Sequence, residues 1–338
     1  MRIIFRADGN SSIGLGHFVR SLALAEMVQS VAPCWFAVQN PSPSMREMVS
    51  QAHVTLWELP AQPVANEATY LATHVQSNDV VVLDGYGFDR AYQQAVRRSG
   101  CRLVAIDDLR AWPTEADLVI NHSPGITPDM YQAAAYTRFC LGPEYSLLRS
   151  SFLANFRLPQ PVSLIEKVLL CFGGADPQQF TSRFMRALLG LEQVSQVGII
   201  TGSAFLHAST SEQQAAEFPT KHIKFYQSVS APEMVALLQG YDAVVCPAST
   251  ILIESLFLGK PAVTGYYVVN QQHLATYVHK HEQACSLGNF NHISVSDLQP
   301  ALQQALAALE GPPRQPYLAQ PQPERLRDEF RRLLPIRA

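Results

Sequence analysis

Charge is what this sequence has least of. Charged residues fill 16% of its 338 positions while 47% are hydrophobic, a balance that favours large buried sheets over a solvated or disordered chain. The net charge is -3 and no Lys/Arg block interrupts it, so a nucleic-acid partner is not expected. No apolar run approaches the thickness of a bilayer, which predicts no membrane span, and the first residues read as a strand rather than a signal peptide. The six cysteines (Cys34, Cys101, Cys140, Cys171, Cys246 and Cys285) include no C-x-x-C pair. In a chain of this size they read as reduced, mostly buried thiols, and the expected location is the cytoplasm. No feature specifies an oligomeric state.

Signatures of cofactors and metals are missing as well. There is no G-x-x-x-x-G-K-[ST] phosphate loop. Gly14-Leu15-Gly16 is not a dinucleotide fingerprint either, because Val19 stands where the third glycine belongs. No D-x-D occurs, and no His/Cys/Asp/Glu cluster has metal-ligand spacing. The expectation is therefore no metal and no cofactor, with any phosphate held by helix N-termini.

What the sequence does have is a repeated alternation of short apolar runs and helix-period segments. Ile3–Phe5, Trp35–Val38, Val54–Leu59, Asp79–Leu83, Arg102–Ile106 and Leu118–Ile120 read as strands. Phe18–Ser30, Ala65–Gln76 and Asp89–Ser99 read as the helices between them. Near-continuous apolar runs such as D-V-V-V-L belong to parallel strands buried on both faces, and the alternation implies βαβ units. Arg157–Ile165, with Pro159 and Pro161, reads as a linker. The alternation then restarts with strands at Lys167–Phe172, Val197–Ile200, Ile223–Tyr226, Ala243–Cys246 and Ala262–Tyr266. The Pro/Gln-rich 311–323 stretch reads as irregular and Pro323–Leu334 as a terminal helix. The fold class is therefore α/β with two Rossmann-like domains. Their expected bounds are 1–156, a linker at 157–166, 167–322, and a terminal helix at 323–338 able to pack back on the first domain.

Chemistry belongs at the carboxyl ends of such strands. His17 falls where the loop after the first strand becomes a helix, and a helix N-terminus opposes positive charge, leaving the imidazole available as a base. A loop histidine can equally be a capping or packing residue. Three more strands end in Asp84, Asp107 and Asn121; each alone is readable as a simple cap, but all fall at the same edge as His17. Asp107 and Asp108 are adjacent, so in a strand they point to opposite faces and form no carboxylate dyad. In the second half, Ser249 and Thr250 open a helix whose free N–H groups suit a diphosphate, and Glu254 lies one turn on, placed for a ribose diol. The same residues also fit an N-cap with an acid near the helix start.

The pattern F-R-A-D-x-x-x-x-I-G-x-G-H-x-x-R-x-L-x-L-A over residues 5–25 resembles the opening of the UDP-sugar hydrolases of pseudaminic acid biosynthesis. That family acts on UDP-2,4-diacetamido-2,4,6-trideoxy-β-L-altropyranose and is related to spore coat polysaccharide biosynthesis proteins. The likeness continues through Val82-Leu83-Asp84-x-Tyr86, Ile106-Asp107-Asp108, Gly142-Pro143-x-Tyr145-x-Leu147-Leu148-Arg149 and Phe172-Gly173-Gly174-Ala175-Asp176-Pro177. It ends with Ser249-Thr250-x-x-x-Glu254 and Asn270-Gln271. The resemblance implies a GT-B fold with a central cleft between the domains. It also implies His17 as the base activating a water that attacks the anomeric carbon with inversion and releases UDP. Arg6, Asp8, Gly14, Gly16, Asp84, Tyr86, Asp107, Asn121, Tyr145, Gly173, Gly174, Ser249, Thr250, Glu254, Asn270 and Gln271 become the expected substrate contacts. Gly85 and Ile253 depart from residues some members carry (His and Asn), which bears on the identity of the sugar. A glycosyltransferase using the same base on an acceptor hydroxyl is the alternative, and a non-catalytic nucleotide-sugar binding protein the next.

Overall fold

In the computed structural model the described residues are 1–7, 9, 15–173, 176, 178–202, 205, 214–318 and 322–334. The chain forms two compact units, Met1–Ser150 with Pro321–Ala338, and Ser151–Gln320.

The first unit is built on β1 (Ile3–Ala7), β2 (Cys34–Gln39), β3 (Thr55–Leu59), β4 (Val80–Asp84), β5 (Arg102–Ile106), β6 (Leu118–Asn121) and β7 (Arg138–Leu141). They pair in parallel in the order β3-β2-β1-β4-β5-β6-β7. Every residue of β1 and β4 is buried, as expected of central strands covered by helices on both faces. One face carries Ile4, Val81, Leu83 and Leu103 against the helices Val64–His74 and Arg90–Arg97. The terminal helix Pro323–Leu333 belongs to this unit: Leu326, Phe330 and Leu333 are buried, and Arg327 Nε donates to the Met27 carbonyl at 2.7 Å. That carbonyl lies in the last turn of the helix Gly16–Val28, where a cation also complements the helix dipole.

The second unit repeats the plan with β8 (Lys167–Cys171), β9 (Gln196–Thr201), β10 (His222–Gln227), β11 (Ala243–Val245), β12 (Ala262–Tyr266) and β13 (Cys285–Asn289). Their parallel order is β10-β9-β8-β11-β12-β13. Its core is an aromatic cluster of Phe172, Phe180, Phe184 and Phe290 with Val168, Leu170 and Val245. Residues 157–166, read from sequence as a linker, lie inside this unit. Val162 and Gly311 exchange two backbone hydrogen bonds of 3.0 and 2.7 Å, and Ile165 is fully buried.

Sequence periodicity did not reveal β7, β13 or the helices Pro43–Gln51, Ala231–Gly240 and Val295–Leu309. The two strands are sheet edges of mixed burial, R-F-C-L and C-S-L-G-N, and so lack the apolar run of a central strand. Two of the helices begin on Ser-Pro pairs or in Pro/Ser-rich stretches, with Ser42 and Ser230 as N-caps, and the third carries Pro300 in its interior. Proline read as a breaker is here mostly a first-turn residue.

Candidate active site

Both sheets start at their centre and are wound outward in each direction, so chain order reverses between β1 and β4, and again between β8 and β11. At such a reversal the connections leave to opposite faces and open a crevice at the strand C-termini, the habitual ligand site of open α/β sheets. His17, after β1, and Asp84, the last residue of β4, stand at the first reversal. Gly173, after β8, and Ser249 and Thr250, after β11, stand at the second.

Asp84 is fully buried and surrounded by donors. His17 Nδ1 lies 2.7 Å from Oδ1; Arg20 reaches Oδ1 through one terminal nitrogen at 2.5 Å and Oδ2 through Nε at 2.7 Å; the Ser21 hydroxyl donates to Oδ2 at 2.9 Å. Burial alone would raise the Asp84 pKa, but the Arg20 guanidinium, then its hydrogen bonds and that of His17, outweigh burial and hold the carboxyl at about 2. An ionised carboxylate accepts only, so the hydrogen of a neutral His17 sits on Nδ1 and the lone pair is left on Nε2. The Arg20 nitrogen 2.9 Å from Nδ1 is then a second donor converging on the same oxygen. The other arm of Arg20 donates to Asp108 Oδ2 at 2.9 Å. Burial lowers the Arg20 pKa less than Asp84 and Asp108 raise it, so the guanidinium stays charged.

His17 also lines a pocket with Tyr86, Asp107, Leu109 and Trp112. The Tyr86 ring meets the imidazole edge-on at 4.5 Å between centroids, and Tyr86, Leu109 and Trp112 are exposed around the mouth. His122, at the end of β6, faces the same charges. Burial and Arg20 push it down to about 4 against the opposing pull of Asp108 and Asp84.

Several residues expected to touch substrate hold partners within the protein. Arg6 is buried and forks onto Glu67 at 2.7 and 2.9 Å, beneath the Phe88 ring. Asp84 acts on His17 from behind. Asp107 Oδ1 accepts the backbone N–H groups of Leu109 and Arg110 at 3.0 and 2.8 Å, closing a turn in which Arg110 has φ +57. Asn121 donates to the Tyr131 hydroxyl and accepts the Ser123 N–H, both at 2.9 Å. Tyr145 lies toward the terminal helix, where burial raises its pKa against the pull of Arg325. Gly16 opens its helix, and among the described residues outside its own helix turn and chain neighbours a Cβ built on it meets no atom within 4 Å. Asp8, Gly14 and Gly174 lie outside the described residues.

In the second unit Ser249 is the N-cap of Thr250–Phe257, yet its side chain makes no capping hydrogen bond. The capping serines Ser42, Ser230 and Ser294 each accept an N–H of their helix. Gly173 is exposed with φ +89, a conformation only glycine adopts without strain. Glu254 is buried one turn into the helix. Gln271 Oε1 accepts the Tyr267 N–H at 3.2 Å and so braces its own turn, while Asn270 sits half-buried in the first turn of the helix Val269–Lys280. Among the described residues no group of three or more His, Cys, Asp or Glu is placed to hold a metal, and no helix is long and apolar enough to cross a membrane.

Sequence reasoning missed Arg20, Asp108 and His122. One signal was available for Arg20: it lies three residues after His17, one helical turn along the same face.

No protein-family model matches the chain. The uncharacterized protein MJ1062 of Methanocaldococcus jannaschii is 22% identical over 278 residues, 79% of this chain and 56% of that protein. The chain thus spans little more than half of that relative. The UDP-2,4-diacetamido-2,4,6-trideoxy-beta-L-altropyranose hydrolase of Campylobacter jejuni is 20% identical over 283 residues, 83% of this chain and 97% of that one. The spore coat polysaccharide biosynthesis protein SpsG of Bacillus subtilis is 21% identical over 280 residues, 80% of this chain and 79% of its own. Among solved structures, Acinetobacter baumannii MurG has a TM-score of 0.63 at 15% identity, covering 98% of this chain and 99% of that one. Anabaena Alr3699/HepE in complex with UDP and glucose has a TM-score of 0.61 at 14% identity, covering 98% of each. The hydrolase and SpsG are relatives of the kind the sequence motifs resemble, and the structural neighbours share the two-domain Rossmann-like GT-B fold.

Proposed function

We propose that this protein is a nucleotide-sugar hydrolase that releases UDP from a UDP-linked diacetamido-trideoxy sugar, in pseudaminic-type nonulosonic acid or surface polysaccharide biosynthesis. The observation that carries the reading is the 2.7 Å contact of His17 Nδ1 with the buried carboxylate of Asp84 at the β1/β4 reversal. It leaves Nε2 as the proton acceptor of a ring that lines an open pocket. The similarity to a UDP-sugar hydrolase along most of the chain supports the substrate class.

In the proposed reaction water attacks the anomeric carbon from the face opposite the phosphate. The new bond is C1–O(water); the bond broken is C1–O to the β-phosphate, whose electron pair leaves with UDP. The water proton passes to His17 Nε2, and the product sugar is inverted at C1. UDP is already a good leaving group, so the chemistry asks for a placed base and for donors at the phosphates rather than for a strong acid. This distinguishes it from the two-carboxylate arrangement of glycosidases. The nucleotide is assigned to the second unit. There the uncapped Ser249 hydroxyl, Thr250, the free N–H groups of their helix and the exposed Gly173 backbone provide donors without a side-chain charge. Glu254 and Asn270 complete that assignment toward the nucleoside.

The transferase alternative uses the same base on an acceptor hydroxyl. The exposed Tyr86, Leu109 and Trp112 around the pocket are the feature that favours it. A panel of UDP-sugars incubated in EDTA with the parent and with His17→Ala decides. UDP release into water from a diacetamido-trideoxy donor, cut by about 10²–10⁴-fold in the variant, is expected. Release only when an acceptor sugar is added selects the transferase. Undiminished release by His17→Ala removes the imidazole from the mechanism.

A further inference from the structure

His17 and Asp84 alone would make an incomplete base. A buried carboxylate 2.7 Å from an imidazole stabilises the imidazolium as readily as it fixes the tautomer, and an imidazolium takes no proton. Arg20 is placed to separate these two effects. Its guanidinium spans the ends of two strands, forking onto both oxygens of Asp84 and reaching Asp108 with its other arm. Only a planar, permanently charged fork serves three acceptor positions at once. We propose that Arg20, held between Asp84 and Asp108, is the positioning residue that fixes the tautomer of His17 and sets the pH range in which Nε2 accepts a proton. The inference rests on reading His17 as the base, and nothing in the sequence motifs assigns Arg20 this task.

The electrostatics follow from counting the groups that face His17 from each neighbouring element. The end of β4 contributes the negative Asp84 and, just beyond it, the Tyr86 ring. The loop after β5 contributes the negative Asp108, acting through Arg20. The end of β6 contributes His122, which responds to the same Arg20, Asp108 and Asp84 charges and is kept neutral by burial and by Arg20. From its own helix comes the positive Arg20. The turn after β5 also brings Asp107 to the same pocket, its carboxylate bonded to the Leu109 and Arg110 N–H groups, so Arg20 is the cation that opposes Asp84, Asp107 and Asp108 around the ring. Removing Arg20 leaves Asp84, Asp107 and Asp108 unopposed and extends the imidazolium to higher pH relative to the parent. Removing the Asp108 charge leaves Arg20 opposed by one carboxylate fewer and shifts the ring toward its neutral form relative to the parent. The two changes act in opposite directions, which mere loosening of the site does not reproduce.

The test reads His17 directly, without turnover. In protein labelled with 15N-histidine, the His17 resonances are identified by their loss in His17→Gln, and their titration and tautomer are followed by long-range 1H–15N spectra. In the parent the hydrogen of the neutral ring is on Nδ1. Arg20→Gln moves the titration midpoint up by about one pH unit or more, the usual effect of exposing an imidazole to an unopposed carboxylate. Asp108→Asn moves it down, and Arg20→Lys, which keeps the charge, stays closer to the parent than Arg20→Gln does. If Arg20→Gln does not fold, Asp108→Asn carries the test alone. A midpoint unmoved in both charge-changing variants, or moved the same way in both, overturns the proposal. Because the measurement needs no substrate, a protein that releases no UDP from any sugar nucleotide yet titrates as described refutes the hydrolase reading and leaves the positioning role standing.

Discussion

The Nδ1 atom of His17 and the Oδ1 atom of Asp84 lie 2.7 Å apart although the residues are separated by 67 positions, one opening a helix and the other closing a strand. The parallel pairing of β1 with β4, with Ala7 level with Asp84, brings the two ends together. The consequence is a fixed tautomer. Asp84→Asn offers Nδ1 an amide N–H in place of a lone pair, so the ring hydrogen moves to Nε2 and the base is lost. UDP release is expected to fall by about 10²–10⁴-fold, while calorimetric UDP affinity stays within about twofold of the parent. Full activity in that variant would remove Asp84 from the mechanism.

The same carboxylate should appear in the acid stability of the protein. Held at about 2 when folded, against 3.8 as its ordinary value, Asp84 contributes stability that is fully present above pH 4 and lost as pH falls through about 2. The linkage amounts to about 2 kcal/mol. Urea unfolding of the parent and of Asp84→Asn is expected to differ most at pH 5 and to converge between pH 4 and pH 2. A gap that stays constant over that range contradicts the assignment.

His122 acts in a different window, with the same sign: stability again falls as the pH is lowered. Its ring, at about 4 in the folded chain against 6.5 ordinarily, is kept neutral first by burial and then by Arg20. The unfolded chain therefore binds a proton that the folded chain refuses, and stability declines as pH falls from about 6.5 to about 4. In His122→Gln that decline should flatten, while the change below pH 4 that belongs to Asp84 persists. Thermal melts at half-unit intervals from pH 7 to pH 2 separate the two windows. An unaltered slope between pH 6.5 and pH 4 argues against a neutral His122.

The central strands and the loops that follow them could be read from the sequence because their signals are local. V-V-V-L is an unbroken apolar run in a strand buried throughout, and S-T after A-V-V-C-P-A is a strand feeding a helix. The roles of the polar residues were harder to read because their partners are distant. Arg20 enters the sequence reading only as the last named position of G-H-x-x-R, with no role attached. It is buried only because Asp84 and Asp108 arrive from 64 and 88 positions away. Arg6 reads from sequence as a substrate contact, and its pairing with Glu67, 61 positions on, has no local signal. Asp107 and Asp108 are indistinguishable in sequence; the turn takes the first and Arg20 takes the second.

Ser249 and Ser230 occupy the same formal position at two helix starts and should behave differently. Ser230 accepts the Glu233 N–H in a reciprocal capping box, whereas Ser249 makes no capping bond. Ser230→Ala is therefore expected to cost about 1 kcal/mol of stability and to leave UDP binding unchanged. Ser249→Ala should change stability by less than about 0.5 kcal/mol, as a substitution that breaks no cap, and should weaken UDP binding. Chemical denaturation and calorimetry on both variants make the comparison. A stability loss at Ser249 equal to that at Ser230, with UDP affinity intact, would reduce Ser249 to a helix cap.

Two glycines make a similar contrast, between room kept for a ligand and room taken by the fold. A Cβ on Gly265, in β12, would overlap the ring of the fully buried Phe290, so Gly265→Ala forces the aromatic core of the second unit to move. Overpacking of that kind costs about 1–3 kcal/mol. Among the described residues outside its own helix turn and chain neighbours a Cβ on Gly16 meets no atom within 4 Å, and alanine restricts the unfolded chain more than glycine does, so Gly16→Ala should melt no earlier than the parent. If the open space beside Gly16 is where the sugar approaches the backbone ahead of His17, that stable variant will nonetheless show a raised KM for the UDP-sugar. A Gly16→Ala enzyme with parental KM places the sugar elsewhere in the pocket, against Tyr86 and Trp112.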